Sequence, residues 1–338
     1  MTIVFVGIDL AKSVFALHGV DEVGKPALVR PVVRRDQLLE VVAKLPPCTI
    51  GMEACSGAHC WARQFAAFGH TVRLMAPKFV VPYRMSGKRG KNDAADAAAI
   101  CEALQRPAMR FVPVKSELAQ CRLAIHTVRE GWVKARTATI NRLRGLLSEF
   151  GIVLPLKAQT VRRMAGEAID TLPSWMKTAC MDLLDELRRL DARVAEYDAH
   201  IQMMARADER STVLMQVPGI GPTTASALVA SIGNGHDFAN GRQLAAWLGL
   251  VPGQYSSGGK QRLGRITKAG DSYLRTLLIL GARAVLAAAA NKADRISRWA
   301  TTLAERRGYW KAVVAIAAKN ARMAWAMLAK GEHFKPIA

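Results

Sequence analysis

Four carboxylates within the first hundred residues have the types and spacing to do chemistry. Asp9 closes the apolar run 3–8, Glu53 closes the run 48–52, and Asp93 and Asp96 follow three apart. Residues three apart share a helix face, so Asp93 and Asp96 can point to one centre, and in a first helical turn the dipole favours their charge. Crowded carboxylates repel each other unless a cation lies between them, and hard oxygen ligands suit magnesium, with manganese as a substitute. Two such ions about 4 Å apart stabilise the attacking and leaving oxygens of an in-line phosphoryl displacement. Plainer readings compete: Asp93 as a helix cap, Asp96 as a solvated first-turn acid, a strand-end Asp as a turn former. All four being structural is the less favoured reading, because two of them end strands and two share one helix turn.

The elements that must position them are legible in outline. Residues 3–8 are nearly continuous apolar, as in a strand buried on both faces, and 15–20 read as its antiparallel partner. A helix over 36–45 closes at Pro46 and Pro47, a strand at 48–52 leads to Glu53, a helix over 58–68 stops at Gly69, and 70–75 read as a further strand. This βββαβαβ order predicts a mixed sheet flanked by helices, and in such sheets ligands bind beyond the carboxyl ends of central strands, where Asp9 and Glu53 fall. A helix over 94–105 and a strand-like 109–113 follow. Helices at 116–150 and 175–207, the second with heptad-like spacing through Leu183, Leu187, Leu190 and Val194, read as a helical hairpin or coiled-coil arm that spaces or joins protomers.

Lys and Arg outnumber Asp and Glu 48 to 27, a formal net charge of +21, which predicts a polyanionic partner, nucleic acid before membrane. At 338 residues, two domains are the natural expectation. No apolar run is read as transmembrane and the N-terminus lacks the basic segment of a secretory signal, so no membrane partner and a soluble, intracellular protein are expected. Six scattered cysteines without a CxxC pair read as reduced core thiols. Trp299, Trp310 and Trp325 lie in helical context and read as core. His18, His70, His126 and His200 are isolated and are assigned no chemistry. The basic loop 84–91, with Lys88, Arg89 and Lys91, stands just before the acidic doublet, a place from which it can contact a nucleic-acid backbone.

The last third opens with Pro218, Gly219, Ile220 and Gly221 ahead of an apolar helix at 225–232. Glycines here make a tight turn whose amides face outward at a helix start, a phosphate site similar to the helix-hairpin-helix motif; a plain turn is the competing reading. Next come Gly249, Leu250, Val251 and Pro252, then Ser256, Ser257, Gly258, Gly259 and Lys260, followed by Arg262, Arg265, Lys268 and Arg275. This reads as a mobile, glycine-rich basic loop on phosphates, or as the carrier of a serine nucleophile. No His or Asp triad stands beside it, so activation would come from arginines, the phosphate's surroundings or a metal.

Together these motifs resemble the DEDD transposases of the IS-one-ten insertion-sequence family, in order and spacing, over nearly the whole chain. The resemblance implies an α/β RNase H-like (RuvC-like) domain at 1–112 carrying the acidic tetrad, a helical coiled-coil middle at 113–208 for oligomerisation, and a mainly α-helical transposase domain at 209–338. It implies that Asp9, Glu53, Asp93 and Asp96 bind magnesium. It also implies that a serine before glycine attacks DNA to form a 5′-phosphoserine, while a bridge RNA from the element pairs with donor and target DNA. Counted forward from Gly249 that serine is Ser257; counted back from Ile266 to Gly270 it is Ser256. A serine more than 150 residues from the tetrad points to a composite site in a homodimer or tetramer, and the cytoplasm of a bacterium, at the nucleoid, is the implied location. Two rivals remain open: a structure-selective RuvC-like junction nuclease with water as nucleophile, and a non-catalytic nucleic-acid scaffold.

Overall fold

The computed structural model describes residues 2–84 and 92–335, which fall into two compact units, 1–117 and 118–338. In the first, β1 (Phe5–Asp9), β2 (Val14–Val20), β3 (Pro26–Arg34), α1 (Leu38–Ala43), β4 (Thr49–Glu53), α2 (Ala58–Ala67), β5 (Thr71–Met75), α3 (Pro77–Val80), α4 (Asp93–Leu104) and β6 (Phe111–Val112) follow one another. They form a six-stranded mixed sheet of order β3-β2-β1-β4-β5-β6. β1 is antiparallel to β2 and parallel to β4, and β4 is parallel to β5. The βββαβαβ order is observed, with its third strand, β3, formed by residues to which the sequence reading assigned no element.

Alternation sorts the side chains of this sheet to two faces. Val6, Ile8, Ile50, Met52 and Leu74 join Leu38, Val42, Trp61 and Phe65 of α1 and α2 in one core. The opposite face is stripped of bulk at Gly7 and Gly51, and α4 lies there. A Cβ at Gly7 would stand 2.2 Å from the Ala97 carbonyl oxygen and 2.5 Å from the Cys101 amide nitrogen, so only glycine lets the helix backbone meet the strand.

The second unit begins with α5 (Glu117–Glu149), α6 (Ala158–Asp170) and α7 (Ser174–Arg206). Pairing of Arg129 with Asp198 and of Arg136 with Asp191 runs in opposite sequence directions, so α5 and α7 are antiparallel. Arg162 of α6 grips Asp191 through two bonds of 2.6 Å, and Val161, Ala165 and Ile169 of the same helix fill the core at that end of the pair. The helix α6 had no counterpart in the sequence reading.

There follow α8 (Glu209–Leu214), α9 (Pro222–Ile232), α10 (Gly241–Trp247), β7 (Pro252–Gln254), β8 (Leu263–Ile266), α11 (Ser272–Ala289), α12 (Arg295–Arg307) and α13 (Tyr309–Lys330). Their core contains Leu228, Leu244, Leu274, Leu278, Val313 and Ile316. Contrary to the reading that no apolar run has transmembrane length, α11 and α13 are long and apolar enough by length and composition, yet both contribute buried side chains to this core.

Two further expectations change. Cys48, Cys101 and Cys180 are buried thiols, whereas Cys55, Cys60 and Cys121 are exposed. Trp325 is buried, but Trp310 is 63% exposed. His126 is a satisfied core residue: it bonds the Tyr273 hydroxyl at 3.0 Å and the Ser226 hydroxyl at 3.1 Å, and burial, with Arg129 nearby, lowers its pKa to about 4.

Candidate active site

Asp9 and Glu53 are the last residues of the adjacent parallel strands β1 and β4, paired up to Ile8 and Met52, so both carboxylates stand at the same sheet edge. The close crossing of α4 over Gly7 brings that helix's first turn to the same edge. Asn92 caps the helix, its side chain accepting the Ala95 amide at 2.7 Å, so Asp93 is not the cap. Asp93 is exposed and Asp96 is buried.

Asp9 feels the other three acids. The Asp9 carboxyl is pushed up to about 6, first by burial and then by Asp96, Asp93 and Glu53, with Arg84 opposing. A residue that the sequence did not single out completes the group: Arg84 places Nε 2.8 Å from Asp96 Oδ1 and a terminal nitrogen 3.6 Å from Glu53 Oε1. One guanidinium thus bridges two of the four carboxylates. Its only sequence signal was its place in the basic run ahead of the doublet. Lys88, Arg89 and Lys91 of that run lie outside the described residues.

The donor set fits a hard divalent cation in type. Asp96 Oδ1 is buried and accepts no hydrogen bond of normal geometry from the described residues, although the Arg84 cation is close. Among the described residues, no three His, Cys, Asp or Glu side chains are grouped to hold an ion as they stand. Among the described residues, Arg84 brings a positive charge to this edge.

Two predictions arise here. A carboxyl whose pKa is near 6 when folded and near 4 when unfolded carries no penalty below pH 4 and the full penalty above pH 6. In EDTA, Asp9→Asn is expected to match the parent's stability at pH 4 and exceed it by about 1–2 kcal/mol at pH 7, allowing for screening at a half-buried group. Urea denaturation across that range checks it. Second, Arg84→Met removes the cation between the buried Asp96 and the half-buried Glu53 and is expected to lower stability in EDTA by about 3 kcal/mol, with added Mg2+ recovering part of the loss. Unchanged denaturation midpoints would show that the bridge is not stabilising.

In the second unit the serine segment is the tip of a hairpin. β7 and β8 pair antiparallel, and Ser257 and Lys260 form a further bridge at the tip. Arg275 ties down the base, donating to the Leu248 and Ala269 carbonyls at 3.1 and 2.8 Å, so its guanidinium is engaged in structure. The two serines differ. Ser256 Oγ accepts from Gln254 Nε2 at 2.9 Å and from the Arg262 amide at 3.3 Å, whereas the Ser257 hydroxyl makes no hydrogen bond to the described residues. Lys260, Arg262, Arg265 and Lys268 are exposed around it and form no ion pair among those residues.

The glycine turn is likewise divided in role. Gly219, at φ +86°, packs on α11 so closely that a Cβ at Gly281 would stand 1.9 Å from the Gly219 carbonyl oxygen, while Gly221 opens α9 with nothing near its Cα face. Gly219 is a packing residue; Gly221 leaves room for a ligand.

Acidic side chains gathered at the carboxyl edge of a mixed sheet, in a strongly cationic chain, define the class: an enzyme of nucleic acids built on an α/β domain. Residues 6–152 match the DEDD transposase family of IS110, and residues 211–297 match the transposase IS116/IS110/IS902 family. The chain is 48% identical to a probable family 20 transposase of Pseudomonas aeruginosa, over 98% of each chain. It is 42% identical to the transposase for insertion sequence element IS1111A of Coxiella burnetii, over 97% of this chain and 90% of that one. It is 36% identical to the transposase for insertion sequence element IS1328 of Yersinia enterocolitica, over 98% of each. The chain belongs to the IS110 family of insertion-sequence transposases and is a DNA transposase.

Proposed function

We propose that this transposase cuts and rejoins DNA through a covalent phosphoserine, with the acidic tetrad and Ser257 acting on one phosphodiester. The observation that carries the reading is the gathering of Asp9, Glu53, Asp93 and Asp96 at one sheet edge, where the Asp9 pKa registers the other three. These four side chains would hold magnesium, or manganese in its place. When bound, the ion supplies Lewis-acid stabilisation of charge on the phosphate.

The chain's own residues do the rest. Ser257 Oγ gives up its proton to solvent and attacks phosphorus; the Oγ–P bond forms as the P–O3′ bond breaks, and the departing 3′ oxygen takes a proton from solvent, leaving a 5′-phosphoserine and a free 3′-hydroxyl. Attack by a 3′-hydroxyl on that phosphoserine restores a phosphodiester and releases the serine, so bond count is conserved without an external energy source. Lys260, Arg262, Arg265 and Lys268 screen the phosphate charge, and the uncrowded turn at Gly221 is a backbone-phosphate contact. The free hydroxyl of Ser257, against the doubly engaged Ser256, supports the choice between the two.

The same reading takes residues 1–112 as a RuvC-like catalytic domain, 113–208 as an oligomerising arm of a homodimer or tetramer, and 209–338 as the transposase domain. It includes a bridge RNA that pairs with donor and target DNA; membership of the IS110 family supports that part. Denaturing gel analysis of labelled element-end DNA, incubated with protein, Mg2+ and candidate RNA, tests the chemistry. A protein–DNA adduct resistant to denaturant but sensitive to protease is expected. Magnesium-dependent cleavage without any adduct would replace the serine by water and make the enzyme a junction-type nuclease.

A further inference from the structure

Tyr309 and Trp310 open α13 directly after Gly308, whose φ of +85° ends α12 and turns the chain. Trp310 is 63% exposed and Tyr309 43%. Their rings meet edge to face with centroids 5.2 Å apart, so the edge of one covers a face of the other, and the Arg283 guanidinium of α11 lies over the Trp310 ring, 5.8 Å from its centroid, while the rest of the Trp310 surface is open to water. Leu280, one turn before Arg283, is 51% exposed. Arg306, Arg307 and Lys311 flank the aromatic pair and are exposed. None of these four cations forms an ion pair among the described residues, and residues 295–331 contain a single acid, Glu305.

An aromatic pair held out in water among uncompensated arginines is matched by a ligand with a π-face and a negative backbone. Duplex DNA presents the charge but hides the faces of its bases; a single strand presents both. Cutting and exchanging DNA strands exposes unpaired bases, so the established activity supplies such a ligand. We propose that Trp310, with Tyr309 set against its ring, is a stacking platform for an unpaired base of single-stranded DNA, and that Arg283, Arg306, Arg307 and Lys311 hold the adjoining phosphates. This site belongs to α11–α13 and does not depend on the serine chemistry proposed above, because binding is read without metal or turnover.

The test uses the full chain in EDTA and fluorescence anisotropy with a labelled 20-nucleotide single strand of DNA, the same sequence as duplex, the same strand with abasic sites, and the RNA counterpart. Trp310→Ala is expected to weaken binding to the single strand by about tenfold and to the duplex by less than about twofold, whereas Trp310→Phe stays within about threefold of the parent. Wild type and Trp310→Ala are expected to bind the abasic strand alike. Because Trp310 is exposed, thermal unfolding should be unaltered. Equal losses on single strand and duplex, no loss on the single strand, or a loss confined to RNA would each overturn the proposal. A changed oligomeric state by light scattering with unchanged single-strand affinity would assign the patch to protein contact and overturn it as well.

Discussion

Ser257→Ala is expected to abolish the covalent protein–DNA adduct and to reduce strand transfer by at least about 10³-fold, with DNA affinity unchanged, since only the attacking oxygen is removed. The companion variant Ser256→Ala is expected to retain the adduct and lose no more than about tenfold in rate. Its hydroxyl oxygen already accepts from Gln254 and from the Arg262 amide, which draws electron density away from it and makes it a brace for the hairpin tip. Denaturing gels and single-turnover strand transfer read both outcomes. The reverse pattern, adduct lost only with Ser256→Ala, would move the nucleophile by one residue; full activity in both would remove serine from the chemistry.

The second large effect is expected far from any reacting group, at Gly7. A Cβ there meets the Ala97 carbonyl and the Cys101 amide at 2.2 and 2.5 Å, backbone atoms that no rotamer change can move. Gly7→Ala therefore lifts α4 from β1, at a cost of about 3 kcal/mol or more, and draws Asp93 and Asp96 away from Asp9. Two readouts follow. Urea denaturation in EDTA should show the destabilisation, and an NMR titration of Asp9 should show its pKa falling back from about 6 towards the ordinary carboxylate range. Gly145→Ala in α5 is the control: its Cβ meets nothing within 4 Å, and in a helix interior it should stabilise by about 0.5–1 kcal/mol. An Asp9 pKa that stays near 6 in Gly7→Ala would show that the helix crossing does not set the acid cluster.

Legibility in the sequence followed range of interaction. Strands ending at Asp9 and Glu53 and the helix carrying Asp93 and Asp96 were readable because apolar runs, caps and breakers act over a few residues; the observed bounds of β4, α2, α5 and α7 differ from the expected ones by a residue or less. The short α6 escaped because its apolar stripe, Val161, Ala165 and Ile169, is meaningful only against α5 and α7. Trp310 was misread for a related reason: helical context says which residues share a face, not whether that face is covered. The serine loop looked mobile because glycines and serines carry no strand signal, while its pairing comes from β7 meeting β8 across the turn.

The sequence by itself determined the kind of chemistry: which carboxylates end strands, the excess of cations, the serine–glycine pair, and a motif order specific enough to indicate the family. Those properties are set by residue type and local spacing. Only the tertiary structure decided that α4 lies on Gly7 and so gathers the acids, that Arg84 bridges Glu53 and Asp96, and that among the described residues Ser256 is bonded while the Ser257 hydroxyl is not. It also decided that Tyr309 and Trp310 face water. Each is a contact or an exposure set by packing between segments distant in the chain, and no local pattern encodes which surfaces will meet.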